Sequence, residues 1–188
     1  MDITVKNLSK KFNNFLAVNN INFTLEKNKT LGLLGSNGCG KTTSIGMMLG
    51  LITPTSGEVL IDNKNINNAN RNELLGKMNF ASPYIELPKK LTVRQNLEVY
   101  GRLYGVKNLK NRIFEISADL DLNNFLDKKT GELSSGQKNR VSLAKSLINN
   151  PEVLFLDEPT ASLDPDIGDF VREYLEIYKS KNQITILL

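Results

Sequence analysis

Gly35-Ser36-Asn37-Gly38-Cys39-Gly40-Lys41-Thr42 fits the pattern G-x-x-x-x-G-K-[ST]. Glycines at these positions let successive backbone N–H groups converge on one anion. The residues just upstream, 30–34, read TLGLL, a short apolar strand; those downstream, 41–49, read as a helix. A strand that runs into a glycine loop and then a helix opens an α/β unit. The helix N-terminus points at the same anion as the loop. Gly35, Ser36, Asn37, Gly38, Cys39 and Gly40 are therefore candidate phosphate contacts. Lys41 is placed to reach the β- and γ-phosphates of a nucleotide, and Thr42 to give its hydroxyl to Mg²⁺. Thr43 is expected to serve helix packing or a backbone contact, not the metal. Two readings stand for Cys39: a small residue that fits the loop, or a thiol activated by the helix terminus and Lys41.

The second informative stretch is Val153-Leu154-Phe155-Leu156-Asp157-Glu158. Four apolar residues in a row read as a parallel strand covered on both faces. Its two carboxylates then lie at the strand's C-terminal edge, the side on which α/β sheets bind ligands. Asp157 is the candidate Mg²⁺ ligand, directly or through water, and Glu158 the candidate general base. Successive strand residues point opposite ways. The two acids can take different tasks only if the backbone turns after Asp157, and Pro159 favours such a turn.

Between and around these motifs the pattern alternates in kind. Ile3, Val5 and Leu8, then Ile21, Phe23 and Leu25, then Val59 and Ile61, alternate with polar residues and predict a small antiparallel sheet beside the α/β core. Asn13-Asn14 lies in a turn over 12–16. A short helix is expected near 70–75, a strand over 78–81 and a loop over 82–91. Thr92 reads as the N-cap of a helix carrying Val93, Leu97, Tyr100 and Tyr104. A second helix is expected over 109–120, a loop over 131–135, and helices over 136–147 and 166–178. Residues 184–188 read as another buried strand. The expected organisation is a single domain over 1–188. Its nucleotide-binding core spans 1–81 and 150–188, and a helical region spans 92–149.

Composition limits the alternatives. Hydrophobic residues make up 40% and charged residues 23%, ordinary values for a globular domain of 188 residues. The formal charge of +4 is dispersed in pairs such as Lys10-Lys11 and Lys128-Lys129, which read as solvated surface rather than a nucleic-acid footprint. A single cysteine excludes an intrachain disulfide. No signal-peptide pattern and no apolar run of membrane-spanning length is present, so any membrane role is expected to be peripheral, through a partner.

Further motifs give the chain a specific resemblance. Leu133-Ser134-Ser135-Gly136-Gln137 resembles the signature of the ATP-binding cassette (ABC) transporter family, usually Leu-Ser-Gly-Gly-Gln, with Ser135 in place of the first paired glycine. Ala161-Ser162-Leu163-Asp164, after Glu158-Pro159-Thr160, resembles that family's D-loop. The chain is similar to the family's ATP-binding subunit over essentially its whole length, and more loosely to bacterial exporter-type cassettes. The resemblance implies a P-loop NTPase core with an antiparallel β subdomain and an inserted helical subdomain. It also implies ATP and Mg²⁺ as ligands and ATP hydrolysis as the reaction. The implied partners are a second cassette stacked head to tail and a transmembrane permease, which would put the protein peripherally on the cytoplasmic face of a bacterial membrane. Nucleic acid is not an expected partner.

Residue by residue, the resemblance puts Ser134, Gly136 and Gln137 at the γ-phosphate held by the opposite cassette, and Asp164 at the dimer interface. It puts Phe12 against adenine, with Lys10-Lys11 and Ala17-Val18 matching around it; an ordinary core phenylalanine is the other reading of Phe12. The pattern is broken in two places. No glutamine follows the strand over 78–81, where Ser82 and Pro83 stand and Tyr84-Ile85-Glu86-Leu87-Pro88 could shape a groove for the permease. No histidine occurs anywhere in the sequence, whereas the family carries a switch histidine just after the strand matched by 184–188. The chain is accordingly expected to be cut short of that residue, to bind nucleotide and to hydrolyse it poorly. Two other functions share this core: a soluble cassette ATPase acting on nucleic acid or the ribosome, and a regulatory cassette with weak hydrolysis.

Overall fold

The computed structural model describes residues 1–67, 71–82, 86–159 and 165–188. The strands among them are β1 (Ile3–Phe12), β2 (Phe15–Leu25), β3 (Thr30–Leu31), β4 (Ser56–Ile61), β5 (Lys64–Asn65), β6 (Met78–Ala81), β7 (Val153–Leu156) and β8 (Thr185–Leu187). The α-helices are α1 (Lys41–Met48), α2 (Arg71–Gly76), α3 (Val93–Leu103), α4 (Leu109–Asp119), α5 (Ser135–Leu147) and α6 (Pro165–Asn182). The strands form two four-stranded sheets. One is antiparallel in the order β2-β1-β4-β5, and the other runs β3-β8-β7-β6 with all pairs parallel.

The alternation read along β1 holds with one interruption. Ile3, Val5 and Leu8 are all buried, although Leu8 is three residues beyond Val5. A register shift between Val5 and Leu8 absorbs the extra residue, and Asn7 takes a positive φ of 47° there. Gly57, at φ 81°, lies beside this bulge, and a Cβ on it would run into the Asn7 carbonyl.

Strand β7 is the wall between two apolar cores. Val153, Leu154, Phe155 and Leu156 are each fully buried. Val153 and Phe155 face a cluster that includes Ile3, Val5, Ile45 and Met48. Leu154 and Leu156 face the other way, into a cluster with Leu97, Ile116, Val141 and Val171. Opposite-facing neighbours are what a pleated strand requires, and two covered faces explain an unbroken apolar run. Burial of each of these side chains is worth about 1.5–3 kcal/mol. The carboxyl end of β7 is thus held rigidly from both sides.

Some boundaries differ from the sequence expectation. Over 30–34 the strand is only Thr30–Leu31, and Leu34 is 98% exposed. Leu33 N still donates to Leu188 O at 2.6 Å, so β3 leaves the sheet one residue before Leu34 and enters the glycine loop. Strand β5 is two polar residues with no alternation to announce it. Helix α5 starts at Ser135, one residue earlier than expected, and the loop ahead of it holds a 3₁₀ turn over Thr130–Glu132. Helix α6 starts at Pro165, a residue suited to the first helical position, and runs to Asn182.

Candidate active site

The glycine loop, residues 35–40, connects β3 to α1 at the edge where β7 ends. Gly40 is the N-cap of α1 and sits in the left-handed region at φ 97°. A side chain there would be strained and its Cβ would strike the Ala17 carbonyl, with Val18 Cγ2 at 3.1 Å. Gly35 is less constrained: a Cβ there would meet Cys39 Sγ, a side-chain atom that can move aside. These contacts seat the loop against β2 and explain the place of Val18, a buried residue beside the loop rather than an open ligand contact. Helix α1 has no side-chain cap and no acidic residue in its first turn. Its leading N–H groups, and the positive end of its dipole, are left for an external anion.

The basic and acidic side chains meet where α1 faces β7. Lys41 Nζ donates to Gly35 O at 2.8 Å and to Ser36 O at 3.3 Å, and lies 3.8 Å from Glu158 Oε1. Thr42 Oγ1 donates to Asp157 Oδ2 at 2.8 Å. Asp157 is 3% exposed, and its backbone N–H donates to Ala81 O at the end of β6. Glu158 has φ 52°. That left-handed residue is the backbone turn on which separate tasks for the two acids depend: Asp157 meets Thr42 and Glu158 meets Lys41. The sequence pairs four residues that lie more than a hundred positions apart, and the fold brings them within one hydrogen-bonded group.

The donor set fits a hard cation. A hydroxyl and a carboxylate oxygen 2.8 Å apart match two adjacent corners of an octahedron with metal–oxygen distances of about 2.0–2.1 Å. No group of three or more His, Cys, Asp or Glu suited to a metal occurs among the described residues. Magnesium needs none, since it is commonly held by one or two carboxylates together with substrate phosphates.

The aromatic candidate is not a core residue. Phe12 is 45% exposed at the tip of the β1–β2 hairpin, and the Lys10 ammonium lies 4.9 Å from its ring centroid. Lys10 is opposite Val18 in the hairpin register, so the ring is on the same hairpin that abuts Gly40. Cys39 is exposed, and Thr43 is half-buried on α1 beyond the metal candidate.

At the second motif, Ser134 is the N-cap of α5. Its Oγ accepts from Gln137 N at 3.3 Å, and Gln137 Oε1 accepts from Ser134 N at 3.1 Å. This is a capping box, so Gln137 is engaged within its own helix. Ser135 is exposed and Gly136 buried. Ser82 is buried beside Asn139, Ser142 and Pro159 around a cavity of about 20 Å³. Pro83, Tyr84, Ile85, Thr160 and the expected D-loop with Asp164 lie outside the described residues. Two positions escaped the sequence reading. Asn139 Nδ2 donates to Pro159 O at 3.2 Å, tying α5 to the turn after Glu158. Lys145 Nζ donates to Phe80 O at 3.1 Å, and burial pushes its ammonium below the usual lysine range. Both are long-range side-chain to backbone contacts with no local sequence pattern.

Residues 18–161 match the family model described as ABC transporter. The chain is 38% identical over 188 residues to the zinc import ATP-binding protein ZnuC of Rickettsia conorii, covering 99% of this chain and 74% of that protein. It is 36% identical to the Nod factor export ATP-binding protein I of Burkholderia lata, covering 99% of this chain and 61% of the relative. Among solved structures, a dimeric ATP-binding cassette in a post-hydrolysis state with ADP and Pi superimposes with a TM-score of 0.87 at 28% identity. That match covers 98% of this chain and 86% of the other.

Proposed function

Because the chain belongs to the ABC transporter family, we propose that residues 35–42, Asp157 and Glu158 form its site for binding and hydrolysing Mg·ATP. The cassette supplies the ATPase activity of a transporter. The observation that carries the site assignment is the paired contact of α1 with the end of β7: Thr42 to Asp157 at 2.8 Å and Lys41 to Glu158 at 3.8 Å.

The loop N–H groups and the open end of α1 receive the phosphate oxygens. Lys41 exchanges the Gly35 and Ser36 carbonyls for the β- and γ-phosphates, where its charge offsets theirs. Thr42 and Asp157 would hold Mg²⁺, which when bound neutralises phosphate charge during transfer. Glu158 orients the attacking water and accepts its proton. Phe12 offers its exposed ring to the adenine face. A second cassette, stacked head to tail, completes each site with Ser134 and Gly136, with Asp164 at the interface. A similar cassette that is dimeric with ADP and Pi bound supports pairing of two cassettes.

The membrane partner is a permease, and the cassette works peripherally at its cytoplasmic face. No described helix is long and apolar enough to cross a membrane. A zinc importer subunit and a Nod factor exporter subunit are both relatives, so the cargo is a property of the permease and not of this site.

The test is equilibrium binding of ATP with and without Mg²⁺, on the native chain and on Lys41→Ala. Removing a charge-assisted contact worth about 1.5–3 kcal/mol should weaken binding roughly tenfold to more than a hundredfold. Equal affinity in the two proteins would refute the phosphate site.

A further inference from the structure

Of the many asparagines in the chain, Asn37 alone precedes glycine. An asparagine side chain can be attacked at Cγ by the backbone nitrogen of the next residue, closing a five-membered ring. Any Cβ on that next residue hinders the closure. At Gly38 there is none, and a Cβ built there would meet no atom within 4 Å, so the space around the attacking residue is open. Both residues are exposed, and Gly38 takes φ 81°. Among the described residues no hydrogen bond holds the Asn37 carboxamide or the Gly38 N–H, although the next N–H, of Cys39, donates to Ser36 O at 3.2 Å. Two other asparagines are restrained by burial and hydrogen bonds. Asn79 is buried and donates to Asn149 Oδ1 at 2.9 Å, and Asn96 is fully buried with its amide held by the loop carbonyls around it.

We propose that Asn37 is a deamidation site in the phosphate loop, and that its conversion disables nucleotide binding. The deprotonated Gly38 nitrogen attacks Asn37 Cγ. A new N–C bond forms, the C–NH₂ bond breaks, and the nitrogen leaves as ammonia with a proton from water. Water then opens the succinimide at either carbonyl, leaving aspartate or isoaspartate. Asparagine plus water becomes acid plus ammonia, with no change in oxidation state. The product puts a carboxylate where phosphate oxygens are to be received, and isoaspartate also adds a methylene to the backbone of the cradle.

This consequence rests on the nucleotide-site reading above. Two like charges a few ångströms apart at a protein surface repel enough to weaken binding by about tenfold. Bound nucleotide should protect the residue, because phosphate engages the N–H groups of the loop and removes the nucleophile.

The experiment incubates the full chain at mildly alkaline pH, with and without ADP and Mg²⁺. Conversion is followed by peptide mass mapping and isoaspartyl methyltransferase labelling, and ATP affinity is measured on fresh and aged protein. Asn37 should convert before any other asparagine, and more slowly with ADP present. Aged protein should bind ATP about tenfold more weakly, a change of about 1.4 kcal/mol. Asn37→Asp should reproduce that weakening from the start. Asn37→Gln, whose longer side chain disfavours ring closure, should keep its own starting affinity throughout. Conversion of another asparagine first, or aged Asn37-converted protein that binds like fresh protein, overturns the proposal. Fresh protein that binds no ATP would instead sink the nucleotide-site reading, while mass mapping would still decide whether Asn37 converts.

Discussion

Helices α1 and α5 both begin at a motif tied to nucleotide, yet they begin in opposite ways. The N-cap of α1 is Gly40, left-handed, with no side chain to satisfy the first N–H groups. The N-cap of α5 is Ser134, which closes a capping box with Gln137. Helix α3 starts like α5: Thr92 Oγ1 accepts from Gln95 N at 3.1 Å, and Gln95 Oε1 accepts from Thr92 N at 2.9 Å. An uncapped helix end leaves polar groups open to water or to a ligand. A capped end is complete before any ligand arrives. The open end of α1 fits the phosphate site proposed for it, whereas Ser134 and Gln137 have a structural duty that exists without nucleotide. The two duties are compatible at Ser134, because its Oγ accepts within the box and its O–H remains able to donate to phosphate across a dimer.

The largest expected effect sharpens the α1 side of this contrast. Glu158→Gln keeps the shape of the side chain and the backbone turn but removes the proton acceptor. Turnover of Mg·ATP should fall by about 10²–10⁴, the usual contribution of a positioned base, while ATP affinity stays near that of the native chain. Single-turnover phosphate release beside equilibrium binding separates the two. Unchanged turnover would assign the base elsewhere.

A smaller effect is expected at Thr42. Thr42→Val preserves shape but withdraws the hydroxyl that donates to Asp157, a carboxylate only 3% exposed. Leaving that buried acceptor without its donor should cost about 1–3 kcal/mol of folding stability. Urea titration without nucleotide would read this, and the Mg²⁺ dependence of ATP binding should flatten in the same variant. A fully stable variant would mean that solvent replaces the hydroxyl, and that the pair is not pre-assembled for a cation.

How far the sequence discloses this site follows the range of each contact. The glycine loop, its lysine and the buried strand with two terminal acids are local patterns, and each has the element and position its residues imply. The antiparallel sheet follows from alternation, including β1, where one bulge at Asn7 shifts the phase. The positive φ of Glu158 is different. Pro159 announces a turn, but no local pattern announces the left-handed residue. The roles of Asn139 and Lys145 are invisible locally, because each spends its side chain on a carbonyl at least twenty positions away. Strand β5, with two polar residues, carries no period to detect. The capping box at Ser134 was legible as Ser-x-x-Gln, but the same letters also belong to the signature motif, and the functional reading hid the structural one.

That overlap yields the smallest and most discriminating expectation. Ser134→Ala and Thr92→Ala each remove an N-cap oxygen from a capping box, so each should cost about 0.5–2 kcal/mol in stability. Thr92 is also the weaker cap type, which puts its loss toward the low end. Chemical denaturation of the two variants without nucleotide should therefore give similar shifts. ATP turnover measured under conditions that favour dimers should not. Thr92→Ala removes only a cap and should turn over ATP like the native chain wherever both are folded. Ser134→Ala removes the cap and the hydroxyl proposed to meet the opposite cassette's phosphate, and should lose turnover beyond its loss of stability. If the two variants lose turnover equally, Ser134 is a cap and nothing more, and the distinction between a helix end kept open and one closed on itself extends to the whole signature motif.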